Sequence, residues 1–501
     1  MNGESQPDTH PELRIDRRTV LAAGALALFA SPFAGSVLSS SRSPVARAAE
    51  VDPALHGSWT APFRMGTGSA IHAMLTHTGD VLFFGRTKGA PGVDRRSYAA
   101  VWNYRTGQVT DIPLQYDRDL YCSSHNILSD GRVLIAGGHD HVNGPTGVKD
   151  TDLWNPVTRT FTPGPKMALA RWYPTSVQLA NNRVLIFGGQ IDGSTPANTV
   201  EEYNPATGTL RTLGSSATRN VGLYPSMHLM PNGKIVDTGP RQATIRFTPG
   251  TQSWSDVASM SFGQRLRGTS ILLHGGTKVL HFGGQKLNTA LPTNTAEILD
   301  GTAWRATVSL NYARQLATAV LLPDSTVFAV GGGAQQPYSG PVLTPELYDT
   351  GTGTWRPMAP QIAGRMYHAC SMLLPDGRVL SLGQTYGTYA DYGEIWSPPY
   401  LFRGPRPTIT SAPATARYGT QISVATPEAA TIGTVMLIRP GSGTHQIDPD
   451  QRAIPLAFTA GSGSLTVTVP KKKSLIPPGY YMLFILNRDK IPSIASWVRV
   501  F

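Results

Sequence analysis

The chain has 501 residues, of which 15% are charged and 40% hydrophobic, with 52 glycines and 40 prolines. This composition excludes a coiled coil and a disordered chain, because turn-forming residues are frequent and enough apolar side chains are present to build a large core. The net charge of +11 is spread along the sequence, and the only basic run beyond the N-terminal segment is Lys471-Lys472-Lys473, so no nucleic-acid partner is expected.

The N-terminal segment is typical of an export signal. Arg17 and Arg18 precede an apolar, alanine-rich stretch, and Ala46-Arg47-Ala48 offers small residues at a cleavage position. Residues 1–48 are therefore predicted to be a twin-arginine signal peptide, with retention as an anchor as the alternative. We expect a secreted or cell-envelope protein without a membrane span after cleavage.

A short apolar run that ends in glycine recurs seven times, at intervals of 44 to 52 residues. A turn such as Pro375-Asp376-Gly377 precedes most of the runs, and an aromatic strand such as Glu202-Tyr203-Asn204 follows most of them. A period near ~50 residues with glycine-ended strands is typical of a kelch-type β-propeller. The seven glycines are Gly85, Gly137, Gly188, Gly239, Gly283, Gly331 and Gly383.

These patterns predict an all-β fold with two structural domains. Residues 49–402 are predicted to form a seven-bladed kelch-type β-propeller, in which the stretch around Gly57-Ser58-Trp59 supplies the outer strand that closes the ring. The period then stops, and residues 403–501 show short alternating strands such as the one from Ser464 to Val469. Their length and pattern predict an immunoglobulin-like β-sandwich.

A propeller places equivalent positions of all its blades around one channel. The side chains fifteen residues before the glycine of their blade therefore share one face of that channel, and they offer a thiol, two phenols and an imidazole. Adjacent blades carry the thiol and the first phenol, so these two groups should lie close together. A disulfide between Cys122, which carries this thiol, and Cys370 is not expected, because another blade separates the two cysteines. The residues at this register include Cys122, Tyr173, Tyr224 and His368, with Tyr367 next to His368.

An imidazole together with phenols is an unusual set of metal ligands. Zinc sites favour closely spaced Cys and His, and calcium sites favour carboxylates, neither of which occurs at this register. Mixed nitrogen and oxygen ligands in a tetragonal arrangement suit Cu(II). The pattern thus favours copper, with a second imidazole that the periodicity does not identify.

The chain resembles the galactose oxidase/glyoxal oxidase family of copper radical oxidases over nearly all of its predicted mature length. This resemblance implies that the C-terminal sandwich is of the early-set type. The resemblance depends on the order and spacing of short motifs, each of which is unspecific alone. They are Tyr121-Cys122-Ser123-Ser124, Arg171-Trp172-Tyr173-Pro174, Arg365-Met366-Tyr367-His368, Gly443-Thr444-His445-Gln446 and Pro478-Gly479-Tyr480-Tyr481-Met482.

The resemblance implies one copper ion with Tyr173, His368 and His445 as equatorial ligands and Tyr367 as the axial ligand. His445 would reach the site on a loop that the C-terminal domain donates to the propeller channel. A thioether bond would join Cys122 to Tyr173 and create a protein-derived radical cofactor. The catalytic residues would then be Tyr173, Cys122 and Tyr367, with Tyr367 accepting the substrate proton and O2 becoming hydrogen peroxide.

Departures from the galactose oxidase pattern concern the substrate. This chain has Gln190-Ile191 where galactose oxidases carry a stacking tryptophan, and Leu223-Tyr224-Pro225 where they place a sugar-binding arginine. Trp172 adjoins Tyr173 instead, as in glyoxal oxidases and bacterial relatives. The expected substrate is therefore a small aldehyde, a primary alcohol or an exposed glycan end, and the protein is expected to be a monomer.

The alternative function is a non-catalytic scaffold that binds carbohydrate or sits at the cell surface, since many kelch propellers are not enzymes. A scaffold gives no reason for a thiol, two phenols and two imidazoles to occur together at the motif positions. For Arg171 two roles remain open, tuning of the site and packing.

Overall fold

The structure is a computed structural model that describes residues 51–66, 68–86, 97–114, 119–140, 146–287, 289–335, 339–383 and 390–501. The predicted signal segment, residues 1–48, lies outside the described residues. Within them, helix is confined to Pro53–His56 and to three short 3-10 turns, so the all-β prediction is confirmed. In the described part of the chain, no helix has both the length and the apolar character needed to cross a bilayer. The 3-10 turns are Ser215–Ala217, Pro399–Phe402 and Ala429–Thr431.

Seven antiparallel sheets, called sheets 1 to 7, follow one another in the described residues, and each contains one of the glycine-ended runs. Sheet 1 contains His72–Leu75, Asp80–Arg86, Ser97–Asn103 and Val109–Asp111; sheet 2 contains Ser124–Ile127, Val133–Ala136, Thr151–Asn155 and Thr160–Pro163; sheet 3 contains Thr175–Gln178, Val184–Phe187, Glu201–Asn204 and Thr209–Thr212. Sheet 4 contains Met227–Leu229, Ile235–Asp237, Ala243–Thr248 and Ser253–Ser259; sheet 5 contains Thr269–Leu272, Lys278–Phe282, Ala296–Asp300 and Ala303–Thr307. Sheet 6 contains Gln315–Leu321, Thr326–Gly333, Glu346–Asp349 and Thr354–Pro357; sheet 7 contains Ala369–Leu373, Val379–Gly383 and Tyr392–Ser397.

The fourth strand of sheet 7 comes from the start of the described chain. Ser58–Trp59 pairs antiparallel with the end of Tyr392–Ser397, so that Trp59 lies opposite Trp396. The short strand Phe63–Arg64 pairs with the beginning of the same strand. The early stretch thus supplies an edge strand of sheet 7, as the sequence predicts, whereas closure of a ring stays a prediction. Two separate two-stranded ladders occur in the described residues, His139–Asp140 with Thr146–Gly147 and Arg265–Leu266 with Gln285–Lys286.

Close packing between consecutive sheets explains why most of the recurrent runs end in glycine. Gly137 has a φ of 77°, which is in the left-handed region that favours glycine. A Cβ there would also collide with the carbonyl oxygen of Arg171, which lies in the loop that enters sheet 3. The same collision would occur at Gly283 with the carbonyl oxygen of Arg314, in the loop that enters sheet 6.

The C-terminal residues form two further sheets that share an apolar core. The larger contains Thr415–Ala416, Ile432–Arg439, Arg452–Leu456, Gly479–Asn487 and Ser496–Val500, and the smaller contains Gln421–Ala425, Phe458–Ala460 and Ser464–Thr468.

Both faces of the larger C-terminal sheet are buried. Tyr481 and Leu483 pack into the core between the two C-terminal sheets. Met482 and Phe484, which alternate with them along the strand, pack into a core shared with sheets 1, 5, 6 and 7. Successive side chains of a strand point to opposite faces, so this sheet joins the C-terminal core to the seven sheets and gives its loops a fixed place against them.

Candidate metal centre

The residues at the fifteen-residue register share an uncommon backbone conformation. Cys122 and Tyr173 have a φ of 59°, Tyr224 of 41° and His368 of 70°, although none of them is glycine. Each lies at the end of the loop that leads into the first strand of its sheet. Such a conformation persists only where the surrounding structure holds it in place. The register therefore marks one loop position whose side chain is directed by tertiary packing.

The structure brings together the five side chains that the sequence motifs single out. Tyr173 Oη lies 2.6 Å from Tyr367 Oη, and Cys122 Sγ lies 3.9 Å from His445 Nε2. The ring centroids of His368 and His445 are 4.3 Å apart. Ligand atoms of Cys122, His368 and His445 all lie within 4.8 Å of one another. Neither Cys122 nor Cys370 is in a disulfide.

His445 reaches this cluster on a hairpin between the C-terminal strands Ile432–Arg439 and Arg452–Leu456. Within the hairpin, Ser442–Thr444 pairs antiparallel with the first strand of sheet 1, so that Thr444 lies opposite His72. A slip of one residue in this register would turn every side chain of the hairpin strand to the opposite face. The strand pairing thus fixes both the depth and the direction of His445.

Buried charges hold the base of the same hairpin against sheet 2. Asp450 accepts hydrogen bonds from the backbone N–H of Ile127 at 2.8 Å and from the side-chain amide of Asn126 at 3.0 Å. Arg439 lies 3.6 Å from the Asp450 carboxylate and donates to the carbonyl of Ile127. Burial raises the pKa of Asp450, and the guanidinium of Arg439 opposes that rise. The two charges compensate each other in a place that water does not reach.

A threonine fixes the tautomer of His445. The Thr444 hydroxyl donates to the carbonyl of Ile71 at 3.2 Å, so its oxygen is left to accept from His445 Nδ1 at 2.7 Å. His445 Nδ1 therefore carries the proton, and Nε2 keeps its lone pair. Since Nε2 faces Cys122 Sγ, the available lone pair points into the cluster, which is the orientation a metal-binding histidine needs.

The cluster is buried except on one side. Cys122, Tyr173, His368 and His445 are at most 4% exposed, whereas Tyr367 is half-buried. Burial raises the pKa of the Tyr173 phenol well above its usual value, and nearby Cys122 and Tyr367 raise it further. A phenol in these surroundings keeps its proton unless a cation lies close to it.

Aromatic rings line the cluster around Tyr173. The Trp172 ring lies 4.7 Å from that of Tyr173 and 4.4 Å from that of His139, centroid to centroid. Tyr224 lies 4.5 Å from His445, and its hydroxyl donates to the carbonyl of Ser123 at 2.9 Å. These rings keep bulk water away from the buried side of the cluster.

The chemistry of the donors fits copper. Two imidazoles and two phenols meet, and the group of Cys and His side chains found there, among the described residues, includes no carboxylate. Mixed nitrogen and oxygen donors of this kind suit Cu(II) better than calcium or magnesium. Tyr173, Tyr367, His368 and His445 are the residues able to hold the ion, and Cys122 lies beside them.

Arg171 belongs to a recurring buried ion pair. It donates to the carbonyl of Gly188 at 2.9 Å and pairs with Glu201 at 3.1 Å, while Glu201 accepts the N–H of Ala168. Because the pair recurs in sheets 5 and 6, which carry none of the clustered side chains, packing of the loop is the role that the structure favours. Sequence reasoning missed this repeat, whose signal is an arginine 17 or 18 residues before the recurrent glycine. The equivalent pairs are Arg265–Glu297, Arg314–Glu346 and Arg365–Glu394.

Two family models match the chain and together cover about half of it. Residues 85–246 match the glyoxal oxidase N-terminus, and residues 406–500 match the galactose oxidase-like early set domain. The chain belongs to the galactose oxidase/glyoxal oxidase family of copper radical oxidases. The resemblance drawn from the motifs is thereby confirmed, and so is the early-set character of the C-terminal sheets.

The proteins similar to this chain include a galactose oxidase, an aldehyde oxidase and an alcohol oxidase. A galactose oxidase from Gibberella zeae is 30% identical over 457 residues, which cover 82% of this chain and 65% of the relative, so the chain spans about two thirds of that protein's length. Aldehyde oxidase GLOX from Vitis pseudoreticulata is 26% identical over 526 residues, covering 89% of this chain and 97% of the relative. A solved fungal alcohol oxidase of the AA5 family, in complex with copper, superposes with a TM-score of 0.79 at 26% identity and covers 89% of this chain and 99% of its own.

Proposed function

We propose that this chain is a copper-dependent oxidase that converts a primary alcohol or a small aldehyde to its oxidised product and reduces O2 to hydrogen peroxide. The observation that carries the proposal is the convergence of Cys122, Tyr173, Tyr367, His368 and His445. These residues come from three sheets and the C-terminal hairpin, and up to 323 residues separate the partners. A scaffold that only binds carbohydrate has no use for such a cluster.

Sheets 1 to 7 are proposed to be the blades of a seven-bladed kelch-type β-propeller, residues 49–402, followed by an immunoglobulin-like domain, residues 403–501. Side chains at the first strands link one sheet to the next in chain order, as in the hydrogen bonds from Thr269 to the carbonyl of Ala317 and from Thr318 to Ser371. The Cys370 thiol of sheet 7 donates to the carbonyl of Ile71, next to sheet 1. A ring of blades accounts for this last contact.

Tyr173, Tyr367, His368 and His445 would hold one copper ion. A bound copper ion would supply one of the two electron acceptors that the oxidation of the substrate needs. The cross-linked tyrosine would be the other. The cross-link is proposed to form between Cys122 and Tyr173. The S–H bond of Cys122 and a ring C–H bond of Tyr173 break, a C–S bond forms, and two electrons with two protons reduce O2 to hydrogen peroxide.

In the proposed reaction the two tyrosines divide the hydrogens of the substrate. Tyr367 Oη, on the half-exposed side of the cluster, accepts the hydroxyl proton of the alcohol or of the aldehyde hydrate that water forms, and Tyr173 Oη takes the hydrogen from the adjacent carbon. The 2.6 Å between the two oxygens lets one small substrate group reach both. The buried rings around Tyr173 keep water from the radical.

The proposed substrate class is a small aldehyde or a primary alcohol, glyoxal-oxidase-like rather than galactose-specific. The names of the relatives, which include aldehyde and alcohol oxidases, support this class. Trp172 beside Tyr173 fits the same choice. Residues 1–48 are proposed to direct export by the twin-arginine route, and the exported oxidase is proposed to act as a monomer.

The experiment is a peroxide assay on the copper-loaded protein with glyoxal, methylglyoxal, glycolaldehyde and D-galactose. The proposal expects peroxide from at least one small aldehyde and little from galactose, with Tyr173→Phe as a matched inactive control. Copper binding without peroxide from any of the small substrates would contradict the oxidase and favour the scaffold.

A further inference from the structure

At three places, loop residues at or next to the fifteen-residue register are linked by a backbone hydrogen bond between neighbouring sheets. The N–H of Tyr173 donates to the carbonyl of Cys122 at 3.0 Å, and the N–H of Tyr224 donates to the carbonyl of Tyr173 at 2.8 Å. Leu316 likewise donates to the carbonyl of Arg267 at 2.9 Å, and both of these residues have left-handed φ. Each bond satisfies a buried N–H and holds the strained residue that donates it.

Cys122 departs from this pattern. The residue fifteen positions before Gly85 in sheet 1 is Ala70, whose carbonyl faces Gly383 of sheet 7 and not Cys122. The N–H of Cys122 donates instead to a side chain, His72 Nε2, at 3.0 Å. An imidazole therefore takes the place that a backbone carbonyl has for Tyr173 and Tyr224.

A chain of hydrogen bonds fixes the tautomer of that imidazole. Because the Cys122 N–H can only donate, His72 Nε2 must accept, and His72 Nδ1 carries the proton. Nδ1 then donates to His125 Nε2 at 3.2 Å, which leaves the His125 proton on Nδ1, where it reaches Ser442 Oγ at 2.6 Å. The Ser442 hydroxyl donates in turn to the carbonyl of His125 at 3.4 Å.

Packing leaves this pair of rings no freedom to turn. The His72 ring is fully buried and stacks on Phe84 at 4.6 Å with an interplanar angle of 18°. His125 is 3% exposed and meets His72 edge to face at 5.3 Å. Burial lowers the pKa of His125 to about 3, so the ring is neutral at neutral pH. Ser442 lies on the strand that carries Thr444 and His445, so one network holds the Cys122 loop and the His445 hairpin.

We propose that His72 is a positioning residue for Cys122, which it holds so that the thiol meets Tyr173 when the cross-link forms, and that His125 and Ser442 set the accepting tautomer of His72. This inference rests on the proposed function, because it assigns a role in forming the cofactor of that oxidase. His72 touches neither substrate nor copper in this role. The hydrogen bond from the backbone N–H of Cys122 to His72 Nε2 carries this role.

The test follows cross-link formation in the full chain, prepared without copper and then given Cu(II) and O2. The non-reducible Cys122–Tyr173 peptide pair is counted by mass spectrometry at set times. His72→Phe keeps a ring of similar size but removes the acceptor, and it should slow cross-linking roughly tenfold or more, as expected when a buried N–H loses its partner. His72→Gln places an amide oxygen near the position of Nε2 and should restore most of the rate.

Copper affinity separates positioning from general damage. Calorimetric titration under nitrogen should give His72→Phe nearly the copper affinity of the unchanged protein, because the four proposed ligands are intact. His228→Phe is the matched control, since His228 is a buried ring on the first strand of sheet 4 that bonds to Ser270. It should lower thermal stability and leave the cross-linking rate unchanged.

Several results would overturn the inference. Cross-linking of His72→Phe at the unchanged rate would do so, and so would a parallel loss of copper affinity in that variant. If His72→Phe does not fold, nitrogen-15 NMR of the copper-free, unchanged protein decides, since the inference requires the proton of His72 on Nδ1. Failure of the unchanged protein to cross-link would instead refute the proposed function, so the two failures are distinguishable.

Discussion

The phenol oxygens of Tyr173 and Tyr367 lie 2.6 Å apart, although 194 residues separate the two tyrosines in sequence. One tyrosine ends the loop that enters sheet 3, and the other lies in the loop that enters sheet 7. Either oxygen can donate the hydrogen bond that joins them. The proposed division of the substrate hydrogens between the two tyrosines depends on this contact.

Cys122→Ser is expected to keep the fold and copper binding but to lose turnover by roughly 100-fold or more, about 3 kcal/mol in activation free energy. The serine oxygen cannot form the thioether that lowers the oxidation potential of Tyr173. Peroxide release measures the loss of turnover, and circular dichroism measures whether the fold is kept. Cys370→Ser is the control, because Cys370 donates to the carbonyls of Ile71 and Gly443 and is not part of the group of possible metal ligands. Full activity of Cys122→Ser would refute the cofactor assignment.

Thr444→Val is expected to weaken copper binding by about 10- to 100-fold, the usual effect of removing a partner that orients a metal-binding histidine. Valine has nearly the shape of threonine but cannot accept the proton of His445 Nδ1. Thr444→Ser retains the hydroxyl and should bind copper almost as tightly as the unchanged protein. Calorimetric titration gives both affinities, and equal values for the valine and serine variants would contradict the tautomer argument.

Asp450→Asn is expected to lower the free energy of unfolding by about 3–5 kcal/mol, because it leaves the buried guanidinium of Arg439 without a counter-charge. Asp130→Asn is the control at a partly exposed pair with Arg132, where the expected loss is below about 1 kcal/mol. Urea denaturation measures both. Similar losses in the two variants would mean that the hairpin is not held by the buried pair.

The stability of the fold should fall as the pH drops below about 6.5, because several buried histidines are neutral. Burial lowers the pKa of His228 to about 3, so between these values the unfolded chain binds a proton that the folded chain does not. Each such histidine contributes about 1.4 kcal/mol per pH unit to the slope. His228→Gln should reduce the slope of the free energy of unfolding against pH, measured by urea denaturation between pH 4 and 6. The reduction should be at most the slope that uptake of one proton produces. Parallel curves for the two proteins would contradict the assignment.

Features that recur from sheet to sheet could be predicted from the sequence. The recurrent glycines are local signals. Five of the seven have a left-handed φ, and a Cβ at each of these five would collide with a backbone carbonyl oxygen of the next loop; they are Gly137, Gly188, Gly283, Gly331 and Gly383. Counting back from them located Cys122, Tyr173 and His368, which the structure places in equivalent loops and in one cluster.

Features without a repeat were not visible in this way. His445 was assigned only through the family motif, because its place depends on a strand of the hairpin that pairs with sheet 1 far away in sequence. The bond from Cys122 to His72 breaks the pattern of the other loops, so periodicity could not predict it. The fixed tautomer of His445 depends on Thr444 and Ile71 together, and no spacing in the sequence encodes that contact.

The most direct test of the central claim is the intact mass of the protein before and after copper addition in air, with peptide mapping. The account predicts the loss of two hydrogens, located in a non-reducible link between the peptides that contain Cys122 and Tyr173. A free Cys122 thiol after exposure to copper and O2 would contradict it.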